Sequence, residues 1–512
     1  MERSETPSEE RILQERFERL QRKLIPLWKS IQAFNQDQQS IVVVPSLSVD
    51  FPLDSTERQA YEERFLFLLF LLRQPRARMV YVTSEPIQPE IVEYYLGLLP
   101  GVIPSHARRR LFLCSPHDGS DQPLSAKLLA RPRLIQQIRS LIEDPDRAHL
   151  VPFNTTRLER DLALRLGIPM YGADPRFAYL GTKSGCRALF SEASMAHPAG
   201  LEGLRTRHEI LDALSELRRR HPDAGIVMLK HDEGVAGSGN AMLDLRTAGT
   251  SRDDLDRALS HVIPDNAALS VEEYLERFEE QGGIVEQRIV GEELRSPSVQ
   301  LRITPLGEVE LLSTHDQLLG GATGQTFLGC EFPADRQYAE AISREALKAA
   351  DLLARKGVIG RFAVDFLAAR TGSRWRIFAI ELNLRKGGTT HPFLTLQFLT
   401  DGIYEWRDAR FVTPDGQEKF FIATDHLESP TFRSLQPADV FDFSVRQGLH
   451  FDQTRETGVV FHMLTTLGRH GTIGLTAVGN TRQESRNLFR RTRDVFAEES
   501  NDASRPTADP DD

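Results

Sequence analysis

Asp365, Glu381, Asn383 and Arg385 stand within one stretch, Gly360–Pro392, that reads GRFAVDFLAARTGSRWRIFAIELNLRKGGTTHP. Its residues predict two strands, Phe362–Ala368 and Trp375–Leu384, around a turn at Thr371-Gly372. Side chains alternate along a strand, so Ala363, Asp365 and Leu367 oppose Phe362, Val364 and Phe366 on the first. On the second, Ile380, Leu382 and Leu384 share one face, and Glu381, Asn383 and (if the strand extends) Arg385 share the other. Pairing of the two strands brings Asp365 opposite Glu381 and Asn383, with Arg385 and Lys386 at the exit. Crowded carboxylates repel; a hard divalent cation such as Mg²⁺ relieves the repulsion and still needs phosphate oxygens and water to complete its octahedron. A hairpin with an ordinary solvated face is the plainer reading. Such a face rarely carries Glu-x-Asn-x-Arg followed at once by Gly-Gly-Thr-Thr.

Upstream, the strand Gly225–Lys230 (GIVMLK) ends in a lysine and runs into HDEGVAGSGN, with Gly234, Gly237 and Gly239. The run after it, Ala241–Leu245, is strand-like, so the glycine loop joins two strands. Backbone amides in such a flap close over phosphates, where a P-loop would cradle them at a helix N-terminus. A flexible surface turn is the competing reading, and Lys230 beside the loop weighs against it. Lys183 and Arg187 lie in GTKSGCRALF, at the start of an expected helix. Gly181-Thr182-Lys183-Ser184 matches only the tail of a P-loop, and the required G-x-x-x-x-G-K-S/T is missing.

The elements that must position these groups alternate. Residues 3–36 predict an amphipathic helix, with Leu13, Phe17, Leu20, Leu24 and Leu27 at helical spacing. Strands at Ile41–Val49, Met79–Thr83, Arg110–Cys114 and His149–Phe153 are separated by helices at Ser55–Leu72, Pro89–Leu99 and Ser125–Ile142. That order predicts a parallel α/β sheet. No G-x-G-x-x-G follows Val44 or Val82, so residues 38–175 read as a Rossmann-like layer without a nicotinamide or flavin site. Further strands are expected at Ile284–Val290, Ser298–Ile303 and Val309–Ser313. Arg336–Arg355 reads as a long helix capped by Asp335. After Pro392, the segments Phe393–Leu399, Phe420–Thr424, Val459–Leu464 and Thr472–Ala477 and a helix at Arg482–Phe496 predict a smaller α/β unit. Glu498–Asp512 is acidic and expected to be disordered.

Composition bounds the function classes. A chain of 512 residues implies roughly three domains. With 40% hydrophobic and 27% charged residues it fits a soluble globular protein. A net charge of −10 argues against nucleic acid as a partner. Cys114, Cys186 and Cys330 are far apart and fit a reducing compartment. The first residues lack a hydrophobic signal region, and the longest apolar run, Phe65–Leu72, is too short to span a membrane. A cytoplasmic protein without membrane or nucleic-acid partners is expected, with homo-oligomerisation open.

Taken together, a lysine, a second lysine with a glycine flap, a Val-Glu-Gln strand and Asp…Glu-x-Asn-x-Arg occur in an order that resembles the ATP-grasp superfamily. The string ELNLRKGGTTHPFLTLQFLTDG is similar to the pheganomycin-type peptide ligases within it. The resemblance spans residues 38–495. It implies a pre-ATP-grasp Rossmann-like domain (38–175), an ATP-grasp domain (176–395) and a C-terminal α/β domain (396–496); the N-terminal helix (1–37) and the acidic disordered tail (497–512) lie outside it. It further implies ATP bracketed by Lys183 and Lys230 under Gly234, Gly237 and Gly239. Glu286, Gln287 and Ile289 would meet adenine, and Glu293 the ribose. Asp365, Glu381 and Asn383 would hold Mg²⁺, with Mn²⁺ as the alternative, and Arg385 would stabilise an acyl phosphate. His231 follows Lys230 where a proline is frequent. His391 would orient a substrate or take a proton from the amine, or else cap the helix starting near Pro392. His315-Asp316-Gln317 reads as a surface loop or as lining of the acceptor channel. The implied activity is ligation of a small carboxylate to an amine or peptide, releasing ADP and phosphate. The alternatives are an ATP-grasp phosphotransferase and a non-catalytic nucleotide-binding protein.

Overall fold

The computed structural model describes residues 7–34, 38–49, 53–234, 239–266, 268–320 and 326–503. The branched run Ile41–Val44 belongs to the strand Gln39–Val44, which is buried along its length, as a parallel strand covered by helices on both faces must be. It lies third in a four-stranded parallel sheet ordered Leu111–Cys114, Ala77–Val82, Gln39–Val44 and Ala148–Pro152. This is the expected Rossmann-like layer.

Three helices depart from expectation. The N-terminal stretch breaks at Arg22-Lys23 into Pro7–Gln21 and Leu24–Phe34. The expected helix Ser125–Ile142 is two, Leu124–Leu129 and Pro132–Ser140, because Pro132 lacks the N–H that would continue the first and instead starts the second. Ser55–Leu72 is an α-helix only to Glu63; Arg64–Arg73 tightens into a 3₁₀ run that is buried nearly all round.

The second sheet is antiparallel and carries the lysine strand. Its order is Gly200–Leu204, Gly283–Gln287, Ile226–His231, Asn240–Asp244 and Ile263–Pro264. The helices Arg207–Arg220 and Val271–Gln281 cover it with Ile210, Leu214, Tyr274 and Phe278.

The third sheet, nine-stranded, holds the acidic hairpin. Strand Gly360–Thr371 pairs with Pro297–Ile303 on one side and Arg374–Asn383 on the other. Helix Arg336–Arg355 packs on this sheet, and its small residues Ala339, Ala346, Ala349 and Ala350 let it approach Phe362, Val364 and Phe366. Phe420–Glu428 pairs with Thr326–Phe332, and Thr472–Gly479 and Gly458–His462 follow, so the later strands extend the same sheet. The closing helix runs Arg482–Ala503, so the stretch after Glu498 begins helical, against expectation. Phe496 anchors it, packing against Phe432, Phe443 and Phe461, and Ser500 bonds Thr431. Among the described residues no helix is long and apolar enough to cross a membrane.

Glu63 ties the first layer to the last strands. Its carboxylate accepts from the Leu464 and Thr465 amides at 2.6 and 3.2 Å and from the Thr465 hydroxyl, and burial pushes its carboxyl up to about 7. Glu63→Ala leaves those buried donors without an acceptor and is expected to cost about 2–4 kcal/mol. Glu63→Gln should cost less. A urea midpoint unchanged in Glu63→Ala would show that this tie is not structural.

Candidate active site

The hairpin register places Asp365 opposite Glu381 and Ala363 opposite Asn383, with a bulge at Ile380. Asn383 donates to Asp365 Oδ2 at 3.0 Å. Burial, and next the Glu381 charge, push the Asp365 carboxyl up to about 6. Glu381 goes the other way. Burial is the largest single influence and opposes its charge too, but Lys183, with Nζ 2.7 Å from Oε1, together with Arg385 and Lys230 holds it below the ordinary carboxylate value. Two like charges facing across one strand pair, only one of them neutralised, make a donor set that a hard divalent cation fits. Asp365, Glu381 and Asn383 are the residues that would hold it.

Lys183 opens the helix Lys183–Glu192, where Thr182 Oγ1 caps Gly185 N–H at 3.0 Å and Asp232 accepts from Ser184 N–H at 2.7 Å. Lys230, one residue before the end of its strand, lies near Glu286, Nζ to Oε1 being 2.7 Å; Arg187 Nη1 reaches the other carboxylate oxygen at 3.0 Å. Glu286 is 3% exposed, and burial alone would raise its carboxyl; Lys230 and Arg187 keep it lowered and charged. Its side chain therefore fixes the lysine.

The glycine loop does join two antiparallel strands, Ile226–His231 and Asn240–Asp244. Gly234 and Gly239 flank it, and Gly237 lies outside the described residues. Gly239 has φ +87°, a conformation L side chains rarely adopt, and a Cβ there would press on the His231 ring. His231 itself stacks on Tyr274 with ring centroids 4.3 Å apart.

Gln287 closes its strand and Ile289 follows in the half-buried segment after it; the strand is Gly283–Gln287, shorter than expected. Glu293 is held by Arg295 and Arg370 at 2.8 and 3.0 Å. His391 is buried in the first turn of helix Thr390–Thr400, with Nε2 3.0 Å from His462 Nε2. His315 is not on a surface loop. Strand Val309–Gly320 carries it into the core, where it packs against Phe332 and Phe421 and bonds Ser313 at 2.8 Å.

Asp365, Glu381, Asn383 and Arg385 line one cleft, with Gln317 beside them. Tyr61, Arg64 and Phe153 from the first layer and Asp425 from a late strand close its far wall. Sequence reading missed these four, because no spacing signal links positions so distant in the chain. Lys386 also lines it, donating to Pro152 O at 2.5 Å, and burial brings its ammonium down to about 7.

With this geometry in hand, likenesses to known proteins gain meaning. A family model described as IQCH-like, ATP-grasp matches residues 175–266 and 265–407, and one described as PGM1 C-terminal domain matches residues 439–492. The chain is 30% identical over 460 residues to L-propargylglycine–L-glutamate ligase of Streptantibioticus cattleyicolor, covering 88% of this chain and 90% of that protein. It is 22% identical over 527 residues to IQ motif-containing protein H of Danio rerio, 92% of this chain but 49% of that one. Among solved structures, Campylobacter jejuni biotin carboxylase in complex with β-γ-ATP matches with a TM-score of 0.55 at 14% identity, over 91% of this chain and 96% of that one. The biotin carboxylase domain of Hydrogenobacter thermophilus 2-oxoglutarate carboxylase, with MgADP and bicarbonate, matches with a TM-score of 0.54 at 13% identity, over 89% of each. These two share the fold. With the ATP-grasp family model matching across residues 175–407 and the ligase 30% identical along nearly its whole length, the chain belongs to the ATP-grasp family.

Proposed function

We propose that this site joins a small carboxylate to an amine or peptide through an acyl phosphate. The enzyme is an ATP-dependent ligase. The observation that carries this reading is the Lys183–Glu381 pair, which couples the lysine side of the site to the acidic hairpin and its cleft.

The carboxylate oxygen attacks the γ-phosphorus of ATP, the bond to the β,γ-bridging oxygen breaks, and acyl phosphate and ADP form. The amine nitrogen then attacks the acyl carbon, the carbon–phosphate oxygen bond breaks, and amide, phosphate and a proton leave. Little covalent chemistry falls to the protein; it aligns the partners and meets developing charge. Lys183 and Lys230 bind phosphate oxygens, and Lys183 exchanges its Glu381 partner for them. Gly234, Gly237 and Gly239 cover the phosphates. Gln287 and Ile289 flank the base, and Glu293 lies toward the ribose. A magnesium or manganese ion held by Asp365, Glu381 and Asn383 would neutralise phosphate charge. Arg385 faces the cleft at the hairpin exit and binds the transferred phosphoryl group. His391, buried off the cleft, acts at most through its neighbours. Three unpaired buried cysteines fit a cytoplasmic setting.

Glu381→Gln and Asn383→Ala are expected to abolish ADP production while circular dichroism still shows a folded protein, since both line the cleft; Glu381→Gln, which leaves Lys183 without its carboxylate, should also melt lower than wild type. Normal turnover by either would remove the metal assignment.

Lys230→Ala should weaken ATP binding about 10–100-fold by calorimetry, a loss of charge-assisted bonds to phosphate. Arg187 keeps Glu286 paired, so the fold should survive. Unchanged ATP affinity would reduce Lys230 to a structural partner of Glu286.

Ligase and phosphotransferase part at the acyl phosphate. Hydroxylamine, ATP, Mg²⁺ and a panel of amino acids and peptides should yield a hydroxamate with the wild-type enzyme, and about 10–100-fold less with Arg385→Ala. A phosphorylated hydroxyl product with no hydroxamate would overturn the ligase reading.

A further inference from the structure

Away from the acidic hairpin, three ligand-type atoms converge. His462 Nε2 lies 2.8 Å from Asp425 Oδ1 and 3.0 Å from His391 Nε2, and His391 Nε2 lies 3.5 Å from the same carboxylate oxygen. All three residues are buried, at 3–4% exposure. They come from separate elements: helix Thr390–Thr400, strand Phe420–Glu428 and strand Gly458–His462.

Hydrogen bonds cannot satisfy this triangle. A neutral imidazole carries one proton on its two nitrogens. A proton on His462 Nε2 serves Asp425 and leaves the His391 Nε2 lone pair facing the carboxylate. A proton on His391 Nε2 alone sets the His462 lone pair against Asp425 at 2.8 Å. Protons on both nitrogens face each other at 3.0 Å. Every arrangement leaves one repulsive contact, whereas a cation about 2 Å from all three atoms would satisfy the set.

The backbone is shaped for this convergence. A register irregularity after Thr424 frees Asp425 from the ladder, the kind of bulge that re-aims a side chain. His462 pairs with Gly474, where a Cβ would collide with the imidazole edge, so glycine is what admits the ring. Arg64 donates to the second Asp425 oxygen and fixes the carboxylate, as outer partners do for metal ligands.

We propose that His391, Asp425 and His462 form a binding site for a first-row transition metal of the zinc class, separate from the Asp365/Glu381/Asn383 site. Two imidazoles and one carboxylate select zinc, cobalt or nickel over magnesium, which requires oxygen donors. The ion would lock the last strands to the helix that leaves the Arg385 loop, and Asp425 would carry its influence to the cleft wall.

Full-length protein stripped with a chelator and titrated with Co²⁺ provides the test. One equivalent should give the intense visible absorption of four- or five-coordinate cobalt, and Zn²⁺ should bleach it. His462→Ala and His391→Gln should each weaken cobalt binding by about 100-fold or more, and Asn383→Ala should not. Melting curves of the metal-free variants separate folding from binding, and Zn²⁺ should raise the melting temperature of wild type but not of His391→Gln. No cobalt band in wild type, a band unaffected by both histidine variants, or a band lost in Asn383→Ala would overturn the proposal.

Discussion

The site depends on the balance of charge around Asp365 and Glu381. These two carboxylates face each other across a strand pair, and only Glu381 has a cation, Lys183, at 2.7 Å. Removing one partner of a buried pair leaves an uncompensated charge, which costs far more than the pair itself gains. Lys183 therefore cannot leave Glu381 unless another positive charge replaces it, while phosphate oxygens compete for the lysine itself. In the proposed reading nucleotide and cation binding are coupled through that single ammonium. The second cluster works alike: Lys230 and Arg187 share Glu286, so the lysine is held in place by a carboxylate that remains paired when it departs.

Around this balance the molecule places one continuous sheet. The hairpin and the strands Phe420–Glu428, Gly458–His462 and Thr472–Gly479 belong to the same nine-stranded layer, and the parallel layer packs against them. Tyr95 donates to Phe461 O at 3.0 Å and Tyr94 accepts from Phe461 N–H at 3.0 Å, with Glu63 binding Leu464 and Thr465 nearby. The far wall of the cleft, from Tyr61 and Arg64 to Asp425, thus stands opposite Arg385 only when the beginning and end of the chain have docked. In the proposed reading nucleotide handling falls to the lysine sheet and the hairpin.

The alternation of Glu381, Asn383 and Arg385 along a strand, the helix Arg336–Arg355 and the parallel layer were all legible in the sequence. Each is decided by local pattern: polar and apolar residues alternating for the hairpin strands, an unbroken apolar run for a parallel strand, and apolar residues every third or fourth position for a helix. So was the loop between the Lys230 strand and its successor, because closely spaced glycines disfavour both helix and strand between two apolar runs. What only the tertiary structure decided are pairings between distant segments. Glu286 meeting Lys230 and Arg187, His315 lying in the core, Asp425 reaching the cleft and His391 meeting His462 leave no trace in spacing, since they depend on which strands become neighbours. The break at Pro132 was legible in principle, but the 3₁₀ run after Glu63 was not, because an apolar stretch buried all round carries no periodicity to read. Local chemistry is written along the chain; the partners that tune it are chosen by the fold.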